Sequence, residues 1–354
     1  MITNALVGAA LAVLAMTAAG QQTAAPPTPK TAAPAVTATT YDGRKAFRLT
    51  NGKTEAVVVP GLSGRVMRYG FVGGPNRLWN APKGKIFKSD EWHNWGGDKT
   101  WPAPQSTWPM YAPTGGWPPH PTYDGLPHEA ETLPGGRLRT TGPVMAGWGV
   151  RCVRDYGFES ATGEFVVTTT FRKEAGDQAR QLAAWHVTQI PPPDAAFVPL
   201  NPRSTYKNNF HWFGGARPKE AKAVAVSPSL LKFVPTTGFY KLGADAPVSV
   251  MAAVQDGVAL VLRAAKLAGQ YPEGAEGSGF PVTVWNQGEK DVPARYVELE
   301  IMSPLTLLKR GDTLTHTVRW SLHRLPGRDV NAPAVRAAVE RLLRAPAPQA
   351  TKKE

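Results

Sequence analysis

Two stretches of this 354-residue chain carry side chains suited to acid–base chemistry. In ARYVELEIMSP, residues 294–304, apolar and polar positions alternate. The two-residue period of a strand puts Val297, Leu299 and Ile301 on one face. Tyr296, Glu298 and Glu300 take the other. Two carboxylates on one face repel if both are buried and ionised. They are either ordinary surface glutamates or the lining of a groove, where a glutamate with a tuned pKa serves as general base. In RQLAAWHVTQIPPP, residues 180–193, Ala184, His186 and Thr188 share one face. Trp185, Val187 and Gln189 share the other. A lone strand histidine is commonly a satisfied structural residue. In a groove, its imidazole suits a general acid near neutral pH.

Aromatic surface gathers elsewhere, in HNWGGDKTWPAPQSTWP at residues 93–109 and in a second loop at 191–215. Trp95, Trp101, Trp108, Trp117 and Trp212 offer flat apolar faces of the kind on which sugar C–H faces pack. Asp98, Lys99, Gln105, Asn208, Asn209 and His211 offer partners for hydroxyls. The plainer alternative is that the tryptophans form a satellite core under a long loop. His93, His120, His128 and His211 match no zinc spacing, so no metal is expected. No phosphate-cradling loop, nucleophile elbow or dinucleotide fingerprint is present, and no cofactor is expected.

The elements that must position these groups are strands. From Thr40 onward the pattern has period two: TEAVVVP, GRVMRYGFVGG, GRLRTTGPV, WGVRCVRDYGFE, EFVVTTTFRKE, VSVMAAV, GVALVLRAA, FPVTVWN and DTLTHTVRWSLHRL. Regularity lapses over 81–134, which reads as an ordered binding loop, too proline-broken for a helix and too irregular for a strand. NAPAVRAAVERLLR alone reads as a helix, capped by Asn331. The chain is expected to be all-β: two large antiparallel sheets face to face, with long loops and one C-terminal helix.

The expected organisation is a signal peptide at 1–20, an Ala/Pro/Thr-rich tether at 21–39, the β domain at 40–326, the helix at 327–345 and a tail at 346–354. Cleavage after an uncharged apolar run would leave a periplasmic or secreted protein with no membrane span; an uncleaved anchor is the alternative. The single cysteine, Cys152, lies in an alternating stretch and reads as a buried small hydrophobe. The formal charge of +13 is scattered, with no basic helix or RNA-binding signature, so nucleic acid is not expected.

Four segments in this order resemble an uncharacterised bacterial family of the galactose-mutarotase-like, or aldose 1-epimerase-like, superfamily: GRVMRYGFVGGPNRLWNAP, WHNWGGDKTWPAPQSTW, AAWHVTQI and YVELEIMSPLTLLKRGDTLTHTVRWSL. The resemblance implies a β-supersandwich with a sugar site on a concave sheet. It implies His186 as the acid at the ring oxygen and Glu298 or Glu300 as the base at the anomeric hydroxyl. It implies that GGDKTWP lines the pocket, with Asp98 and Lys99 where phosphosugar mutarotases place an arginine. That departure argues against phosphosugars. The expected ligand contacts are Trp95, Asp98, Lys99, Trp101, Gln105, Trp108, Asn209, His211 and Trp212. The expected partner is a small sugar or oligosaccharide. The expected activity is that of an aldose 1-epimerase-like isomerase on a free sugar. A non-catalytic carbohydrate-binding protein is the alternative, and lyase-like cleavage of an acidic polysaccharide the weaker one.

Overall fold

Alternation along the strands decides the architecture. In Thr313–Arg324, Leu314, His316, Val318, Trp320 and Leu322 are buried while their neighbours reach solvent. One face therefore seeks a core and the other water. Arg180–Ile190 differs: from Leu182 onward every residue is buried, because both of its faces are covered.

A computed structural model describes residues 33–82, 92–111, 115–213, 222–227, 229–273, 279–289 and 292–344. Among them, an eleven-stranded and a ten-stranded antiparallel sheet form one compact unit. The larger sheet runs from Ala35–Tyr41 at one edge to His211–Phe213 at the other. Its middle holds, in order, Asp98–Ala103, Arg180–Ile190, Val292–Met302, Val282–Glu289 and Phe239–Ala244.

The sheets meet through apolar side chains from both. Tyr69 of the larger sheet stacks on Phe165 at 5.6 Å and meets the edge of Trp320 at 5.3 Å, both from the smaller sheet. Val297, Leu299 and Ile301 join the same core, as their alternation predicts. Helix Pro333–Arg344 covers the outer face of the smaller sheet, setting Val339 and Leu343 among Phe197, Val250, Ala252 and Val261. Cys152 is buried, and burial pushes its thiol up to about 12.

Some boundaries differ from the sequence reading. Residues 35–39, read as tether, belong to strand Ala35–Tyr41, which gains a full ladder on Arg44–Thr50. The helix starts at Pro333, and Asn331 accepts from Lys232 at 2.6 Å. The larger correction lies within 81–134. Asp98–Ala103 is a central strand, paired along its whole length with Arg180–Ile190. Pro102 is tolerated because the strand on the other side, Arg65–Phe71, pairs only through Val66–Asp98, so no second ladder exists there to interrupt. The segments expected to be a signal peptide, 1–20, and a tail, 346–354, lie outside the described residues. No helix among the described residues is long and apolar enough to cross a membrane.

The inter-sheet space also holds a polar layer. Arg154 of the smaller sheet pairs with Asp98 of the larger, and Thr188 donates to the same carboxylate at 2.9 Å. Beside them, His186 meets the edge of His316 at 5.2 Å. Burial holds His316 down at about 4, His128 down at about 3 and His186 well below its usual value. These histidines are neutral in the folded protein, while the unfolded chain takes up protons near pH 6.5. Their contribution is therefore complete above about pH 6.5 and is lost as pH falls towards 4 and 3. His316 alone should cost about 3 kcal/mol by pH 4. Urea midpoints from pH 7 to pH 4.5 should drop steeply, and less so in His316→Leu. A flat profile in the wild type would contradict the assignment.

A candidate sugar site on the larger sheet

Register assembles the site. Directly paired residues in a sheet point to the same face. Trp101 pairs with Trp185, and Lys99 with Val187. Val187 pairs with Glu300 and Gln189 with Glu298. Glu300 pairs with Thr283 and Glu298 with Trp285, which in turn pairs with Lys241. These side chains from five neighbouring strands therefore share one face, turned away from the other sheet.

Above that face is a pocket of about 450 Å³, lined by Trp101, Trp185, Phe239, Lys241, Trp285, Gln287, Tyr296, Glu298 and Glu300 from the strands and by Trp92, Asn94, Gln105 and Trp117 around them. The volume falls within the range of about 300–1,000 Å³ usual for small-molecule sites. Aromatic rings dominate its walls. Trp101 and Trp185 meet edge to face at 5.3 Å, and Tyr296 lies on Trp79 at 4.4 Å while accepting from Asn94 at 2.9 Å.

Arg65 clamps the surrounding loops to the sheet. Its guanidinium donates to the Gly96 carbonyl at 2.7 Å and pairs with Asp124. Asp124 also accepts from the Trp92 indole at 2.8 Å. Gly96 and Gly97 allow the close approach. Both have positive φ, and a Cβ would lie 2.2 Å from the Trp79 carbonyl oxygen at Gly96 and 2.4 Å from that of Val66 at Gly97.

The two glutamates occupy unlike settings. Glu300 is locked, accepting from Trp185 Nε1 at 2.9 Å, from Thr283 and from Lys241 Nζ at 2.8 Å. Its side chain is 1% exposed. Glu298 accepts from Gln189 at 2.7 Å and faces Lys99 Nζ at 3.8 Å; its side chain is 12% exposed and lines the pocket. Burial raises its pKa against the pull of Lys99, and the Glu300 charge adds to the rise. Lys99 lies just beneath the lining, over the Trp101 ring at 4.6 Å. Its amine makes no hydrogen bond among the described residues, and burial pushes it down to about 8. Lys241 sits over Trp185 at 4.7 Å.

No protein-family model matches the chain, and no curated protein matches its sequence. Solved structures do match its fold. A TPR-domain-containing protein from Parabacteroides distasonis superposes with a TM-score of 0.51 at 15% identity, over 83% of this chain and 50% of that one. The chain thus spans half the length of that relative. A putative mutarotase, YeaD, from Salmonella typhimurium superposes with a TM-score of 0.52 at 8% identity, over 82% of this chain and 94% of that one. The fold is galactose-mutarotase-like.

On this mutarotase-like scaffold the expected residues separate. Glu298, Glu300, Trp101 and Gln105 line the pocket, with Lys99 directly under it. His186 does not reach it. It pairs with Thr100 and Ile301 and faces the inter-sheet interior, beside His316. No histidine lines the pocket among the described residues. Asp98 faces the same interior to meet Arg154. Trp108 is fully buried and donates to the Pro102 carbonyl at 2.8 Å. Trp95 packs on the cluster around Met67, Trp212 on the main core, and His211 on Phe280. Asn209 occupies a turn with φ of 63° and is not among the lining residues.

Sequence reasoning missed Lys241, Trp285, Gln287 and Phe239. FYKLGA and VTVWNQGE do alternate, with Phe239, Lys241, Trp285 and Gln287 at polar-face positions. Reading that second face of each strand would have found them. Trp185 was visible on the face opposite His186, which is the face that forms the floor.

Proposed function

We propose that the protein binds a free sugar in this pocket and interconverts its anomers as an aldose 1-epimerase-like isomerase. One observation carries the proposal: a partly free, pKa-raised carboxylate and an ammonium, Glu298 and Lys241, line a single aromatic pocket. Glu298 removes the proton of the anomeric hydroxyl. Lys241 gives a proton to the ring oxygen as the C1–O5 bond breaks. The open-chain aldehyde turns about C1–C2, and the reverse steps close the other anomer. Lys241 takes the acid role because His186 faces away. Glu300 holds Lys241 in place. Two carboxylates and two ammonium groups balance at the site, which suits an uncharged polyol over an acidic polysaccharide.

Polarimetry of freshly dissolved α-glucose and α-galactose tests this. Accelerated approach to equilibrium is expected, and no acceleration with any aldose would overturn it. The ionised glutamate is the active form, so the rate should rise with pH through its pKa. In Lys99→Met the stabilising cation is gone, and that limb should move up by about one unit or more. An unmoved limb would remove Lys99 from the site.

A second reading, a carbohydrate-binding protein without catalysis, is favoured by the ion pair that already occupies Lys241. Calorimetric binding with no rate enhancement would establish it. We also propose that the protein acts outside the cytoplasm after loss of residues 1–20. A mature mass that retains them would refute cleavage.

A further inference from the structure

The pocket is graded in burial. Its floor is closed: Glu300 is 1% exposed, and Trp101 and Trp185 are 3% exposed. Its rim is not. Trp117 is 53% and Phe239 49% exposed, yet both belong to the lining. Large apolar side chains left this open in a built site call for a ligand.

Trp117 is held firmly for an exposed residue. Its ring lies parallel to Trp108, with centroids 6.4 Å apart and planes 2° apart. Trp92 meets it edge-on at 5.1 Å and Trp101 at 6.3 Å. Fixed indoles thus neighbour the ring on several sides while about half of the residue meets solvent. Trp92 is itself tied to Asp124. Such a ring is a preformed platform, and a ligand that stacks on it incurs little ordering cost. The floor also extends sideways across five neighbouring strands. At roughly 4.8 Å per strand this is about 19 Å, longer than one hexopyranose ring.

We propose that the site takes the reducing-end unit of a 1,4-linked oligosaccharide, with Trp117 stacking the second sugar. The inference rests on the epimerase reading, which places the anomeric carbon at Glu298. In a pyranose, C4 lies across the ring from C1. With C1 at the floor, the C4 oxygen points to the mouth, and a sugar linked there leaves past Trp117. A sugar linked at C2, beside C1, would be driven into the closed floor.

Two measurements test it. Calorimetry with cellobiose, maltose, glucose and the 1,2-linked disaccharide sophorose reads binding whether or not catalysis occurs. Polarimetry on the same sugars reads kcat/KM. Cellobiose or maltose should exceed glucose about tenfold, the size expected when a half-exposed indole face leaves water. Sophorose should fall below glucose. In Trp117→Ala the disaccharide-to-glucose ratio should collapse towards one. If that variant does not fold, the wild-type ranking of the four sugars still decides. Glucose equal to or better than cellobiose and maltose, or sophorose equal to them, overturns the proposal. Absence of rate enhancement on every sugar sinks the epimerase reading alone, because a tenfold binding preference for cellobiose or maltose would still support the second subsite.

Discussion

Glu298→Gln should lower kcat for mutarotation by about 10²- to 10⁴-fold, the usual contribution of a positioned general base. Glutamine keeps the shape and can still meet Gln189, which now donates to Glu298 at 2.7 Å. It cannot take a proton from the anomeric hydroxyl. The fold should survive the change. Lys99 would lose the carboxylate that faces it at 3.8 Å. Its amine is already pushed down to about 8, and without that neighbour it falls further. It can shed its proton and avoid remaining a buried, unpaired cation. Glu300→Gln should behave differently. Glu300 is bound by three donors and cannot act as a base without breaking that set. Its loss should loosen Lys241 and raise KM as well as lower kcat. Polarimetry on both variants, with folding checked by circular dichroism, separates the roles. If Glu298→Gln retains more than a tenth of the wild-type rate, the base lies elsewhere.

Asp98→Asn should destabilise the protein by about 3–5 kcal/mol, the cost of leaving one member of a buried ion pair uncompensated. Asp98 and Arg154 are 0% and 1% exposed, and they join the two sheets. The carboxylate also accepts from Thr188, and Arg154 donates further to the Gly64 carbonyl at 3.2 Å. The other buried arginine nearby, Arg65, already holds Asp124, so no spare anion can take over. Asparagine would supply an acceptor but no charge. Urea unfolding should show a lower midpoint at an unchanged slope. A loss below about 1 kcal/mol would mean that Arg154 finds water or another partner. Because Asp98 precedes Lys99 on one strand, its side chain faces away from the pocket and the variant leaves every pocket-lining residue in place.

Much of the architecture was legible from residue types. The period-two pattern gave the strands, and proline and glycine gave the turns. The stretch NAPAVRAAVERLLR gave the helix; that Val335, Ala338, Val339 and Leu343 form its buried stripe is seen in the structure. The pairing of Glu298 with Glu300 on one face was equally plain, as was the aromatic character of the walls. The strand Asp98–Ala103 was hidden because Trp-Pro-Ala-Pro reads as a breaker. Only the tertiary structure shows that its proline faces no second ladder.

Alternation assigns each strand two faces but does not say which face of one strand joins which face of the next. That depends on register, and a shift of one residue exchanges every side chain. In Arg180–Ile190 the polar positions His186 and Thr188 looked like the groove. They point instead into the space between the sheets, where Arg154, Asp98 and His316 form a polar layer. The more apolar face, with Trp185 and Gln189, joins Glu298 and Glu300 at the pocket. Where a strand is buried on both faces, hydrophobicity no longer marks the interior. The sequence by itself determined a β-sandwich bearing acids and indoles. Pairing between strands far apart in the chain decided which of them meet, because only those ladders set the parity of each face.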